Sequence, residues 1–226
     1  MPYPYLLFDA DNTLFDFDAG NRIAISAVCR QFSIPDTEEN FRIYEACNLA
    51  MWEAFERGEV TKEFLVIQRF RDFFAKIGLD RDAEACNALH LKTLGQNTIL
   101  LPHALEVCRT LSETHKLYIV TNAVAAVQKS RLAGSAIAPY ISGAFISEEI
   151  GTNKPTPAYF DYVFSHVDGL RKDNCLMIGD SLTSDILGAM NYGLPSCWYN
   201  PGHANLPEGM EITYEIDDLL QLYNIV

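Results

Sequence analysis

An α/β architecture, with helices on both faces of a parallel sheet and an all-helical insertion near the N-terminus, is what this chain of 226 residues predicts. Three observations carry that expectation. Short apolar runs near 4–8, 117–121, 144–147, 175–179 and 195–199 read as strands. Helical patterns alternate with them after residue 100, and such alternation is how a parallel sheet with crossover helices is written in sequence. Between residues 16 and about 95 no strand-like run occurs, and apolar residues recur at helical spacing instead.

Taken in order, Tyr5-Leu6-Leu7-Phe8 forms the first strand and runs out at Asp9. The insertion follows, its helices marked by Ile23, Ala27, Val28 and Phe32, by Ile43, Ala46, Cys47, Ala50 and Met51, and by Phe64, Ile67, Phe70, Phe73 and Phe74. Those stripes are read as packing between the insertion's own helices. Asp16-Phe17-Asp18 and Leu94-Gly95-Gln96 are expected as hinge strands, which divides the chain into 1–15 with 96–226 and a separate 16–95. Pro102 to Thr114, Ala125 to Leu132, Pro157 to Val167 and Ser184 to Tyr192 read as the crossover helices. In sheets of this kind ligands bind beyond the carboxyl ends of the strands. Asp9, Thr121 and Asp180 all fall at such ends.

Composition narrows the function. A chain this long, 49% hydrophobic, can fill a substantial core. Seventeen basic against thirty acidic residues leave a formal charge of −13, which disfavours nucleic acid and anionic membranes as partners. A phosphate-bearing ligand must then be small and met by local positive potential. The six cysteines are scattered, without a Cys-x-x-Cys pair, and read as small buried hydrophobes in a reducing cytoplasm. The five histidines show no metal-site spacing. No basic leader precedes the first apolar stretch, and no apolar run approaches the roughly 18 residues of a membrane span.

Four segments carry chemistry. In Asp9-Ala10-Asp11-Asn12-Thr13 two carboxylates stand two residues apart at a strand end. The first can act as a covalent nucleophile and the second can protonate a leaving oxygen, then activate water. Thr121-Asn122 ends a second strand with a hydroxyl and an amide that can hold a phosphoryl oxygen. Lys154 sits in a loop stiffened by Pro155 and Pro157, so its ammonium can be aimed at a phosphate or at Asp9. Gly179-Asp180 breaks another strand, with Asp185 five residues beyond Asp180. Carboxylates so placed suit Mg2+, which takes few protein ligands and keeps several waters.

In this order the segments resemble the four motifs of the haloacid dehalogenase-like (HAD) hydrolase superfamily, and the resemblance spans nearly the whole chain. It implies a Rossmann-like catalytic core over 1–15 and 96–226 and a helical cap over 16–95. It also implies Asp9 as nucleophile and Asp11 as acid/base. Mg2+ would be held by the Asp9 side chain, the Asp11 backbone carbonyl and Asp180, with Asp185 supporting it through water. Thr121, Asn122 and Lys154 would hold the phosphoryl group. Asp11 argues for phosphomonoester chemistry within the superfamily, because an alkoxide leaving group needs a proton. Hydrolysis of such esters is very slow without catalysis, with enhancements reaching about 10^21-fold.

Finer likeness points to pyrimidine 5′-nucleotidases. It rests on the run from Phe8 to Phe17, Asn48 with Trp52, Ile146 to Gly151, Ser184 to Ala189, and Cys197 to Asn200. Asn12 and Ala123 depart from that pattern, where Glu and Gly are common. The expected partner is a small phosphorylated metabolite, foremost a nucleoside monophosphate, bound by a monomer or homodimer. A sugar-phosphate phosphatase or phosphomutase is the alternative within the superfamily. A regulatory domain that binds phosphate without turnover is the alternative outside catalysis.

Overall fold

A computed structural model describes residues 3–226. Its strands form where β-branched, aliphatic and aromatic residues cluster. They are β1 (Tyr5–Phe8), β2 (Lys116–Thr121), β3 (Gly143–Ile146), β4 (Cys175–Gly179), β5 (Ser196–Tyr199) and β6 (Tyr214–Ile216). Among the described residues they make a six-stranded sheet ordered β3-β2-β1-β4-β5-β6, parallel throughout. The register sets Phe8 beside Ile119 of β2 and Ile178 of β4, so the carboxyl ends of these three adjacent strands fall within two residues of one another. That alignment brings the segments after β1, β2 and β4 to one place.

Side chains alternate across the sheet, and each face has its own core. Leu6, Phe8, Leu117, Ile119, Leu176 and Ile178 pack on α5 (Ala104–Leu111) and the closing 3-10 turn at Leu219–Asn224. Leu7, Val120 and Met177 pack on the other side against Tyr159, Phe160 and Val163 of α8 (Pro157–Ser165) and Ala189 of α9 (Leu187–Tyr192). Two further helices, α6 (Ala125–Gly134) and the short α7 (Ser147–Ile150), follow β2 and β3. Helices thus cover both faces, as the strand–helix alternation requires.

The chain divides into two compact units: Met1–Phe17 with Thr98–Val226, which holds the sheet, and Asp18–Asn97. The second unit is helical: α1 (Phe17–Gln31), α2 (Glu38–Glu56), α3 (Lys62–Ile77) and α4 (Ala83–Gly95). Thr37, Thr61 and Asp82 each cap the helix that follows by accepting a backbone N–H three residues on. Gly78 ends α3 in the left-handed conformation that glycine adopts freely. Ile25, Val28, Cys29, Phe41, Tyr44, Cys47, Phe70, Phe73 and Phe74 form its core. Through that core runs a polar cluster. Arg69 donates to Asn48 Oδ1 at 2.8 Å and Asn87 Oδ1 at 2.9 Å, and lies 3.2 Å from His90 Nδ1.

Several expectations need correction. Leu94 and Gly95 finish α4, and Phe17 and Asp18 begin α1, so these stretches are helix termini and not extended hinges. The extended pairing lies outside them, where Phe15 bridges Leu100 and Asp16 N–H donates to Ile99 O. Ile23 and Phe64 point outward, exposed by 46% and 48%, because the buried stripes run through their neighbours Ile25 and Leu65. The helix expected to end at Thr114 stops at Leu111, and a π turn at Leu182–Ile186 precedes α9. Strand β6 was not foreseen, since three residues with a central glutamate carry no apolar run. All six cysteines are buried and free. No helix of the described residues is long and apolar enough to cross a membrane.

Candidate active site

Asp9 directly follows β1, and its N–H donates to Ile178 O of β4 at 2.8 Å, which locks the carboxylate to the strand end. The chain then turns sharply: Leu14 N–H and Phe15 N–H both reach back to Ala10 O. Asn12 sits in that turn with φ 57°, a left-handed conformation that asparagine tolerates better than most side chains. Its side-chain oxygen accepts from Phe17 N–H at 3.1 Å. The turn leaves the Asp11 side chain 28% exposed, whereas that of Asp9 is only 11% exposed.

Lys154 reaches the same point from the loop before α8. Its buried ammonium donates to Asp9 Oδ1 at 2.7 Å, Asp185 Oδ1 at 2.6 Å and Val120 O at 2.7 Å, using all three hydrogens. Its main chain is held by Asn122, whose Oδ1 accepts from Lys154 N–H and whose Nδ2 donates to Lys154 O, both at 2.9 Å. Both polar atoms of the Asn122 side chain are thus engaged in fixing the main chain of the lysine. Thr121 is buried, and its hydroxyl accepts from Ala123 N–H at 3.3 Å.

Beyond β4, Thr13 and Asp180 bind reciprocally: the Thr13 hydroxyl donates to Asp180 Oδ1 at 3.0 Å and accepts from Asp180 N–H at 3.1 Å. Trp198 of β5 donates its indole N–H to Asp180 O at 2.9 Å. Asp185 is fully buried, with its second oxygen accepting from Ser181 N–H at 3.1 Å. Its place depends on Gly179, where a Cβ would fall 2.6 Å from Asp185 Cβ.

The electrostatics are unbalanced. Oxygens of Asp9, Asp180 and Asp185 lie within 4.8 Å of one another, against the single ammonium of Lys154. Burial, then repulsion from Asp185, pushes the Asp180 carboxyl up to about 7. Burial also raises Asp9, against the pull of Lys154 and with Asp185, Asp180 and Asp11 adding to the rise. Lys154 itself is raised despite burial, because Asp185 and Asp9 favour its charged form. Three carboxyl groups share the ammonium of Lys154 and repel one another, and an oxygen-rich cluster of that kind fits one divalent cation such as Mg2+.

The family model of haloacid dehalogenase-like hydrolases matches residues 3–193. The chain belongs to that family. Its relatives include the HAD-hydrolase YfnB of Bacillus subtilis, 36% identical over 99% of this chain and 95% of that one. A crystal structure of YfnB bound to magnesium has a TM-score of 0.95 at 35% identity, covering 100% of this chain and 99% of the other. Pyrimidine 5′-nucleotidase PynA of Streptococcus pneumoniae is 35% identical over 96% of this chain and 92% of its own. Pyrimidine 5′-nucleotidase YjjG of Escherichia coli is 30% identical over 100% and 99%.

For this HAD hydrolase, Asp9, Lys154, Asp180 and Asp185 meet in one cluster, with Thr13 holding Asp180 and Asn122 holding Lys154. Sequence reasoning missed Arg131, whose Nη1 donates to Asp11 Oδ1. A single arginine on a helix ten residues beyond Thr121 carries no local signal of that contact. Trp198 was read only as part of a likeness, and its hold on the Asp180 carbonyl needs the β4–β5 pairing to be seen.

Proposed function

We propose that this HAD hydrolase is a Mg2+-dependent phosphomonoesterase that works through an aspartyl-phosphate on Asp9, with pyrimidine nucleoside 5′-monophosphates as its substrates. The observation that carries the reading is the buried Asp9 carboxylate, fixed by Lys154 at 2.7 Å among acidic neighbours and followed two residues later by the more accessible Asp11. The names of PynA and YjjG, and identity over nearly full length, support the substrate class.

With Oδ1 held by Lys154, Asp9 attacks phosphorus through Oδ2. The ester P–O bond breaks as the new bond forms, and the departing oxygen takes its proton from Asp11. Asp11, now a carboxylate, removes a proton from water as that water attacks the Asp9 phosphoryl. Inorganic phosphate leaves and Asp9 is restored. Lys154 offsets charge on Asp9 and on the transferring group, and Asn122 keeps it aimed. Thr121 places its hydroxyl and the N–H groups after it near the phosphoryl oxygens. Mg2+, held by Asp9, Asp180 and the Asp11 carbonyl with Asp185 behind, would supply the charge neutralisation that phosphoryl transfer requires. We assign the helical unit 18–97 the cap role that the family resemblance implies, which is to exclude water during turnover.

The test is phosphate release across a panel of nucleoside monophosphates and sugar phosphates, with Mg2+ and with EDTA. EDTA-sensitive hydrolysis of UMP, dUMP or dTMP in preference to the sugars is expected. Activity confined to sugar phosphates would replace the substrate class, and transfer to an added sugar phosphate would make the protein a phosphomutase. Hydrolysis that survives EDTA would refute the metal.

A further inference from the structure

Arg131 lies on α6, 1% exposed, and takes no part in the chemistry described above. Its guanidinium reaches the turn carrying Asp11 at two points and is braced from its own helix by Gln128. Nη1 donates to Asp11 Oδ1, the guanidinium carbon stands 4.5 Å above the Phe15 ring, and Nη1 also donates to Gln128 Oε1 at 3.2 Å. Phe15 closes the same turn, since its carbonyl accepts from Asn12 N–H and it bridges Asp11. Arg131 thus grips both ends of the loop that presents Asp11.

Gln128 makes the arrangement costly. It is fully buried, and its Nε2 finds no hydrogen-bond partner among the described residues. Turning the amide over would set an NH2 group against the Arg131 donor, so the orphaned nitrogen follows from bracing the arginine. A buried unsatisfied donor is uncommon and calls for an explanation. Holding a guanidinium at one fixed point supplies one.

We propose that Arg131 is a positioning residue for proton transfer by Asp11. Anchoring Oδ1 leaves Oδ2 as the oxygen that gives its proton to the leaving group and later takes one from water. This inference rests on the phosphatase reading, and it extends that reading to a residue outside the four motifs. Its signature is dependence on the leaving group: an alkoxide needs the proton, whereas p-nitrophenolate departs without it. The parameter kcat/KM reports the step in which the ester bond breaks.

The experiment compares UMP with p-nitrophenyl phosphate for the wild type, Arg131→Met, Arg131→Lys, Asp11→Asn and the Asp11→Asn/Arg131→Met double variant, with folding checked by thermal melting. General acid catalysis contributes about 10^2- to 10^4-fold, so Arg131→Met is expected to lower the UMP to p-nitrophenyl ratio of kcat/KM by about 10^2. In the Asp11→Asn background the same change should cost nothing further. Arg131→Lys keeps the charge and loses the planar fork. It should shift the ratio in the same direction by less, and it carries the test if the Met variant does not fold. Equal losses on both esters, or losses that multiply with those of Asp11→Asn, would overturn the assignment. A wild type inert toward both esters would overturn the phosphatase reading, and this assignment with it.

Discussion

At Lys154 one buried ammonium faces Asp9 and Asp185 at 2.7 and 2.6 Å, so each carboxylate depends on it for charge and for a hydrogen bond. Removing one partner of a buried ion pair costs about 3–5 kcal/mol, because the other charge stays buried and alone. Lys154→Met is therefore expected to unfold at distinctly lower urea concentration than the wild type, besides losing turnover. A variant of unchanged stability would mean that the carboxylates find other partners. Asn122 acts one step back. Asn122→Ala removes both hydrogen bonds to the Lys154 main chain, each worth about 0.5–1.5 kcal/mol. It should lower kcat more than it raises KM, and steady-state kinetics on UMP would show the split.

At the scale of elements, the site exists because β1, β2 and β4 end within two residues of one another. Gly179 closes β4 against Asp185, leaving no room for a methyl group. Gly179→Ala is expected to destabilise by about 1–3 kcal/mol through overpacking and to push Asp185 off Lys154. Chemical denaturation and phosphatase assay together would check this, and a folded variant with full activity would contradict it. The strand ends were legible in the sequence, since an apolar run broken by Asp9, Thr121 or Gly179 is a local signal. Arg131 and the amide of Asn122 were not, because their partners lie 120 and 32 residues away and only the packed fold brings them together. The stretches expected to be extended at 16–18 and 94–96 are helix termini for a related reason. Helical bonding starts α1 at Phe17 and carries α4 through Gly95, further than apolar spacing alone indicates.

Across the whole molecule the two units are built on different principles, an apolar sheet core and a helical core threaded by polar groups. In the helical unit His90 is buried between Asn21 Oδ1 at 2.9 Å and the Arg69 guanidinium. Burial, and then the charge of Arg69, holds its pKa well below the usual 6.5. A depressed folded pKa contributes stability that is present above the unfolded value and lost as pH falls, since the unfolded chain then binds the proton that the folded one refuses. Melting temperature should accordingly decline from about pH 6.5 towards pH 5 more steeply in the wild type than in His90→Gln. Parallel profiles would show that His90 is charged in the folded protein. The all-helical character of this unit was legible in its apolar spacing, but the Arg69 cluster was not, because Asn21, Asn48, Asn87 and His90 come from three other helices.

The central claim is that Asp9 carries the phosphoryl group. The most direct measurement mixes the protein with p-nitrophenyl phosphate and Mg2+, quenches in acid within the first turnovers, and maps phosphoryl mass onto peptides. Label on the peptide containing Asp9, enriched in Asp11→Asn and absent in Asp9→Asn, is the expected result. Turnover with no labelled aspartate, or an Asp9→Asn variant that still turns over, would contradict the account.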